Sequence, residues 1–220
     1  MVNLLKVAPS TDPVEAGEEL VSYVKKISPY ADFIHCDVMA KPFVPKDTIN
    51  HEMVREIFLN TLVPLDVHLM VNEPKVKDIK KFIKAGAQIV TVHFEAFEDK
   101  KDLVKVLKYI HNNNILAGIS INPNTEVMEI MSFLAYVDLV LVMSVNPGKS
   151  GQRFMENANL KVKKLKQIRD DYGARYFIEV DGGITPEISR RLKTNGADIV
   201  VSGSYVAKSD NFEKAIDELR

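Results

Sequence analysis

Histidines and carboxylates recur at the ends of three apolar runs in this chain. The segments are Phe33-Ile34-His35-Cys36-Asp37-Val38-Met39, Pro64-Leu65-Asp66-Val67-His68-Leu69-Met70 and Tyr176-Phe177-Ile178-Glu179-Val180-Asp181-Gly182-Gly183. Each begins as a β-type run and finishes in side chains that ligate metals or move protons. The imidazoles of His35 and His68 and the carboxylates of Asp37 and Asp181, drawn from three strands, can hold a divalent cation and transfer protons at the same place. Alternation along a strand sorts the neighbours. His35, Asp37 and Met39 share one face, and Cys36 and Val38 the other. Asp66, His68 and Met70 share a face of the next run, and Glu179 goes with Asp181 on the third. Singly, each group has a plainer reading: a strand-end histidine as a hydrogen-bonded core residue, an aspartate as the cap of a following helix. Together, two imidazoles and two carboxylates buried in apolar surroundings without a partner would be costly, and a cation removes that cost.

Such a set needs elements that deliver several strand ends to one place. Candidate strands lie near Leu4–Ala8, Phe33–Val38, Leu65–Met70, Ile89–His93, Leu116–Ile121, Leu139–Met143, Tyr176–Val180 and Ile199–Ser202. Most are near-continuous apolar runs, as parallel strands covered on both faces require. Helical patterns fill the gaps: Val14–Ile27, Thr48–Leu59, Pro74–Ala85, Lys101–Asn113, Glu126–Leu134, Asn157–Asp171, Pro186–Asn195 and Phe212–Leu219. Thr185-Pro186 places proline in a first helical turn, and Gly86 and Gly196 fall just past helix ends. Eight strands alternating with eight helices predict an α/β fold, a (β/α)8 TIM barrel occupying residues 1–220 as one domain. A doubly wound open sheet is the alternative. It calls for fewer strands and a glycine-rich first turn, where this chain has Ala8-Pro9-Ser10. The paired strand–helix unit is the one internal repeat visible.

Bulk properties narrow the partners. A net charge of −1 without a basic stripe argues against nucleic acid. The stretch Lys161 to Arg169 carries no acidic residue, but reads as a solvated helix face. A single cysteine, Cys36, excludes a disulfide framework and suits a reducing cytosol; facing away from the barrel axis, it reads as a small buried hydrophobe. No apolar run approaches the ~20 residues of a membrane span. The N-terminal Met1-Val2-Asn3-Leu4-Leu5-Lys6 lacks the features of a signal peptide, so a cytoplasmic location is expected.

Glycine-containing turns follow the last three strands: Gly148-Lys149-Ser150-Gly151, Gly182-Gly183 and Gly203-Ser204. Backbone N–H groups in this quadrant of a barrel bind phosphate. Three such turns at consecutive strand ends favour a phosphorylated ligand over three unrelated turns. Met39, Met70 and Met143 end three strands and suit either core filling or a polarisable lining.

At these residues the sequence resembles the ribulose-phosphate 3-epimerase family over essentially its whole length. The resemblance rests on five ordered motifs: Ala8-Pro9-Ser10; His35-Cys36-Asp37-Val38-Met39 followed by Phe43-Val44-Pro45; Pro64 to Val71; Met143-Ser144-Val145-Asn146-Pro147-Gly148; and Glu179-Val180-Asp181-Gly182-Gly183. It implies a ribulose-phosphate-binding type of barrel that interconverts D-ribulose 5-phosphate and D-xylulose 5-phosphate by inverting C3. It further implies metal ligation by His35, Asp37, His68 and Asp181, with Asp37 and Asp181 as the acid–base pair. Ser10 and His68 would touch substrate, Met39, Met70 and Met143 would cap a planar intermediate, and the three glycine turns would hold the phosphate. The chemistry agrees with the residue types. C3 adjoins the C2 carbonyl, so proton removal gives an enediolate, and two opposed carboxylates suffice for inversion. One divalent ion, Zn2+, Fe2+, Mn2+ or Co2+, is expected, with no organic cofactor. The partners expected are a small sugar phosphate and, by the resemblance, further copies of the chain in a homo-oligomer; no membrane partner is expected.

The chain departs from the family pattern in its loops: Met39-Ala40-Lys41-Pro42, Gly148-Lys149-Ser150-Gly151, Ser10-Thr11-Asp12-Pro13 and His93-Phe94-Glu95. Lys41 and Lys149 suit either added charge near a phosphate or ordinary loop positions. The ligand and acid–base sets match throughout. The reaction class follows from those residues, while the sugar stays open between a pentulose 5-phosphate and a hexulose 6-phosphate such as D-allulose 6-phosphate. Phosphate-barrel decarboxylation is disfavoured, because His68 stands where that chemistry places a lysine. A non-catalytic sugar-phosphate-binding barrel is the remaining alternative.

Overall fold

The computed structural model describes residues 4–220; Met1 to Asn3, part of the N-terminus read above and of the expected 1–220 domain, lie outside the described residues. Eight parallel strands run β1 Lys6–Pro9, β2 Ile34–Met39, β3 Leu65–Met70, β4 Ala87–His93, β5 Leu116–Ile121, β6 Leu139–Met143, β7 Phe177–Asp181 and β8 Ile199–Ser202. They are hydrogen-bonded in the order β1-β8-β7-β6-β5-β4-β3-β2. The ring closes between β1 and β2 through the Ser10–His35 bridge and the Thr11 N–H to His35 carbonyl bond rather than a full ladder. The helices are α1 Glu18–Ile27, α2 His51–Leu59, α3 Val76–Ala85, α4 Lys100–Asn112, α5 Asn157–Tyr172, α6 Pro186–Asn195, α7 Ser204–Ala207 and α8 Phe212–Asp217. The expected TIM barrel is therefore present, and the open sheet is excluded.

Strand parity divides the core in two. Residues such as Cys36, Val67, Val90 and Val140 pack outward under the helices. Ala8, Ile89, Leu139, Leu141, Ile199 and Val201 fill the barrel interior. Above them Met39 and Met70 meet Val44 and Phe43. At the closed end, the residue leading into an even-numbered strand clips the preceding odd strand. Asp32 accepts from the Val7 N–H, Asp138 from Ala117 and Asp198 from Ile178, at 2.8–2.9 Å. Gln88, the second residue of β4, accepts likewise from the Leu65 N–H at 2.6 Å. The repeat legible in the sequence as a strand–helix unit is thus a pair of such units.

Several boundaries differ from expectation. Strand β1 starts at Lys6, leaving Leu4 exposed. Helix α1 starts at Glu18, because Gly17 adopts a backbone (φ 121°) that stops a helix growing back to Val14. Helix α2 starts at His51, because Asn50 caps it while the Thr48 hydroxyl is taken by the β2 backbone, accepting from Met39 N–H and donating to the Asp37 carbonyl. The segment expected as an α-helix over Glu126–Leu134 is a 3-10 helix over Val127–Tyr136. With a rise of ~2.0 Å per residue against ~1.5 Å, the tighter winding reaches further along the barrel for the same residues. The short α7, directly after β8, had no periodic signature. Lys161 corrects the expected solvated face: it is 5% exposed, and its ammonium donates to the carbonyls of Asn122, Pro123 and Thr125. Lys163, Lys164 and Lys166 on the same helix are exposed, as expected. No helix among the described residues is long and apolar enough to cross a membrane.

Candidate metal and proton-transfer site

Pairing of β2 with β3 sets His35 beside Asp66, Asp37 beside His68 and Met39 beside Met70. Both strands are buried throughout, so their alternate side chains have only the barrel interior and the helix layer to occupy. His35 and His68 are fully buried, and Asp37 is 4% exposed. Asp181, ending β7, completes the set: one ligand-capable atom from each of His35, Asp37, His68 and Asp181 lies within 4.8 Å of all the others.

The nitrogen geometry tells which atoms are free. His35 Nδ1 lies 2.5 Å from Asp66 Oδ2 and donates to it. His35 Nε2 is thereby left to face His68 Nδ1 at 3.3 Å and Asp37 Oδ1 at 3.4 Å. His68 Nδ1 is itself 3.3 Å from Asp37 Oδ1. These three atoms form a triangle with edges of 3.3–3.4 Å. Tetrahedral bonds of ~2.0–2.1 Å to a divalent ion give ligand–ligand edges of about 3.3 Å. The residues present fit such an ion.

Electrostatics divide the two aspartates. Burial opposes the charge on Asp37, but the His35 imidazolium and its hydrogen bond outweigh it and hold the carboxyl well below the usual range. Burial, reinforced by the charge of Asp37, pushes Asp181 up to about 8. Without a bound cation, one carboxylate is thus ionised and the other protonated near neutral pH. Burial and the charge of Asp66 push Glu179 well above the carboxylate range too. For His35 the carboxylates of Asp66 and Asp37 overcome burial and raise the imidazole.

A cavity opens above this cluster at the C-terminal ends of the strands. Its wall includes Ser10, Asp37, Met39, Met70, Met143, Gly148, Lys149, Ser150, Gly151, Asp181, Gly182, Gly183, Gly203 and Ser204. Every substrate-facing residue expected from the sequence is there except His68, which lies beneath the floor with His35. Lys41 is exposed and outside the wall. The three glycine turns meet in one quadrant. Gly183 sits at φ 64°, and a Cβ there would come within 2.6 Å of the Phe154 nitrogen, so any larger residue closes this corner. The Ser144 hydroxyl bonds the carbonyls of Asp181 and Gly182 and fixes the turn.

Four neighbours carried no role in the sequence. Asp66 had the right parity, and its bond to His35 is the new fact. His93 and Glu95 appeared only as a loop departure, although His93 ends β4 in the manner of the other strand-end histidine. Asp12 lies in the cavity wall and pairs with Lys46, joining the first and second loops; neither residue type at that spacing signalled it.

Comparison with known proteins agrees with the geometry. The model of the "Ribulose-phosphate 3 epimerase family" matches residues 6–207. A ribulose-phosphate 3-epimerase of Bacillus subtilis is 39% identical over 99% of this chain and 99% of its own length. One from Synechocystis is 41% identical over 86% of this chain and 82% of its own. In fold, the chain is similar to a crystal structure of 3-hexulose-6-phosphate synthase, with a TM-score of 0.71 at 17% identity, covering 98% of each chain.

Proposed function

The chain belongs to the ribulose-phosphate 3-epimerase family, and from that premise we propose that it interconverts D-ribulose 5-phosphate and D-xylulose 5-phosphate with Asp37 and Asp181 as the proton carriers. The observation that carries this reading is geometric: Asp37 and Asp181 converge with two imidazoles beneath a cavity ringed by glycine turns.

The substrate phosphate sits against the N–H groups of Gly148–Gly151, Gly182–Gly183 and Gly203–Ser204, with Lys149 adding charge. This anchors the sugar so that C3 lies between the carboxylates. In one direction Asp37 takes the C3 proton and Asp181 delivers its own to the opposite face; the roles exchange in reverse. Met39, Met70 and Met143 exclude water from the planar enediolate while it is exposed to both acids. His35, Asp37, His68 and Asp181 would hold a divalent ion, and that ion would supply Lewis-acid polarisation of the C2 carbonyl. Two imidazoles and two carboxylates suit Zn2+, Fe2+, Mn2+ or Co2+.

The same reading extends to assembly and location. Met128 on the 3-10 segment and Leu160 on the neighbouring α5 are 59% and 70% exposed, and offer apolar surface to a second copy of the chain. Sedimentation should give a mass above the 24.8 kDa of one chain. The lone buried Cys36 suits a cytoplasmic setting.

Incubation with D-ribulose 5-phosphate and Zn2+ or Co2+ in D2O tests the reaction. Deuterium should enter at C3 as xylulose 5-phosphate accumulates. No exchange with either pentulose 5-phosphates or hexulose 6-phosphates would overturn the proposal.

A further inference from the structure

His93 sits on the far side of His68 from the ligand cluster, and the two rings meet nitrogen to nitrogen. Their Nε2 atoms are 2.8 Å apart, and the planes differ by 26° with centroids 4.9 Å apart. That separation is nearly the N···N distance plus the two ring radii, so the rings meet edge to edge and almost in one plane. This is hydrogen-bond geometry rather than stacking. A single proton occupies that contact, and its owner decides which nitrogen of His68 is bare.

Glu95 determines the owner. Its Oε2 faces His93 Nδ1 at 3.2 Å. Its Oε1 accepts from the Asn122 N–H at 2.7 Å and from the Thr125 hydroxyl. Those donors stand on a loop whose carbonyls are gripped by buried Lys161. A carboxylate fixed in this way only accepts, so a neutral His93 carries its proton on Nδ1 and presents a bare Nε2. His68 must then donate from Nε2, which leaves His68 Nδ1 with its lone pair facing Asp37 Oδ1 and His35 Nε2.

From this geometry we infer that Glu95 and His93 are positioning residues that lock His68 in the tautomer able to ligate through Nδ1. Asp66 does the equivalent for His35 from the opposite side, so both imidazoles are set from outside the cluster. The inference rests on the proposed metal site, but not on which sugar the enzyme turns over.

The test uses the full chain with 15N-labelled histidine. In metal-free protein, nitrogen–carbon-proton correlation spectra should show His68 protonated at Nε2 and bare at Nδ1. A His68 protonated at Nδ1 overturns the inference. Zn2+ affinity, measured by competition with a chromophoric chelator, should fall about 10–100-fold in His93→Phe and in Glu95→Gln, the range typical for outer partners of a ligating histidine. His93→Gln, whose amide oxygen restores an acceptor, should recover part of the loss. Unchanged Zn2+ affinity in Glu95→Gln, with an unchanged His68 spectrum, also overturns it. Should His93→Phe fail to fold, the wild-type spectrum and Glu95→Gln still decide. Absent turnover with the expected tautomer and affinities defeats the epimerase reading alone. Normal turnover with unmoved tautomer and affinities defeats this inference alone.

Discussion

The Ser10 hydroxyl donates to Asp37 Oδ2 at 2.5 Å, while the other oxygen of the same carboxylate faces His35 and His68. The two oxygens of the proposed base therefore have separate duties. The expected substrate-contacting role of Ser10 is joined by one of orientation, since its oxygen also accepts from the Asp12 N–H at 3.0 Å.

Removing that hydroxyl should release Asp37 to rotate. A hydrogen bond to a charged group contributes about 1.5–3 kcal/mol. Ser10→Ala should therefore lower kcat by roughly 10–100-fold, with a smaller change in KM. Steady-state kinetics on both substrates check this, and an unchanged kcat would show that Asp37 is held adequately by the histidines.

Asp181→Asn keeps the size of the side chain but cannot deliver a proton. Turnover should fall by about 10²–10⁴, the usual contribution of a general acid or base. The circular-dichroism spectrum should match the parent. Wild-type rates in the variant would remove Asp181 from the mechanism.

Acid should weaken the metal site before it harms the fold. Asp181 titrates near 8 and His35 above its ordinary value in the metal-free protein. Both hold protons at neutral pH, and a cation must displace the one on His35 Nε2. Calorimetry of Zn2+ binding in buffers of differing ionisation enthalpy should show at least one proton released per ion, with affinity declining as pH falls.

The metal-free fold should respond with the opposite sign. The stabilisation from protonated Asp181 is fully present below the unfolded carboxylate value of ~3.9 and is lost as pH rises through about 8. His35, raised from 6.5, acts in the same direction at higher pH. Chelator-treated protein should thus lose Tm from about pH 6.5 to about pH 8, above the range in which His68, pushed down to about 4 by burial, adds stability as pH rises, while Zn2+-loaded protein gains Tm over that window. A metal-free Tm rising with pH there would contradict the assigned protonation.

Lys161 offers a purely structural test. Replacing it with Met leaves the carbonyls of Asn122, Pro123 and Thr125 without their shared donor. The cost should be about 2–3 kcal/mol, the price of leaving buried acceptors unsatisfied. A lowered denaturant midpoint would show it.

Much of this was legible from residue types. His35 and Asp37 at one parity of an apolar run, with Asp66 and His68 on the next, implied an inward-facing set before any strand pairing was known. The glycine turns after the last three strands implied the phosphate quadrant for the same reason. Lys161 was misread because a lysine among lysines carries no local sign of burial; only the loop carbonyls above it explain its position. The 3-10 winding of Val127–Tyr136 was hidden because its apolar spacing also suits an α-helix.

What the sequence by itself determined is the barrel and the inward parity of the candidate ligands, since alternation along a strand and the period of a helix are local properties, and, through its resemblance to a family, the reaction class. Tertiary structure alone decided the partners of those ligands: Asp66 on His35, His93 and Glu95 on His68, Ser10 on Asp37, and the unequal protonation of Asp37 and Asp181. These depend on lateral register between strands and on burial beside particular charges, and both arise from contacts between residues far apart in the chain.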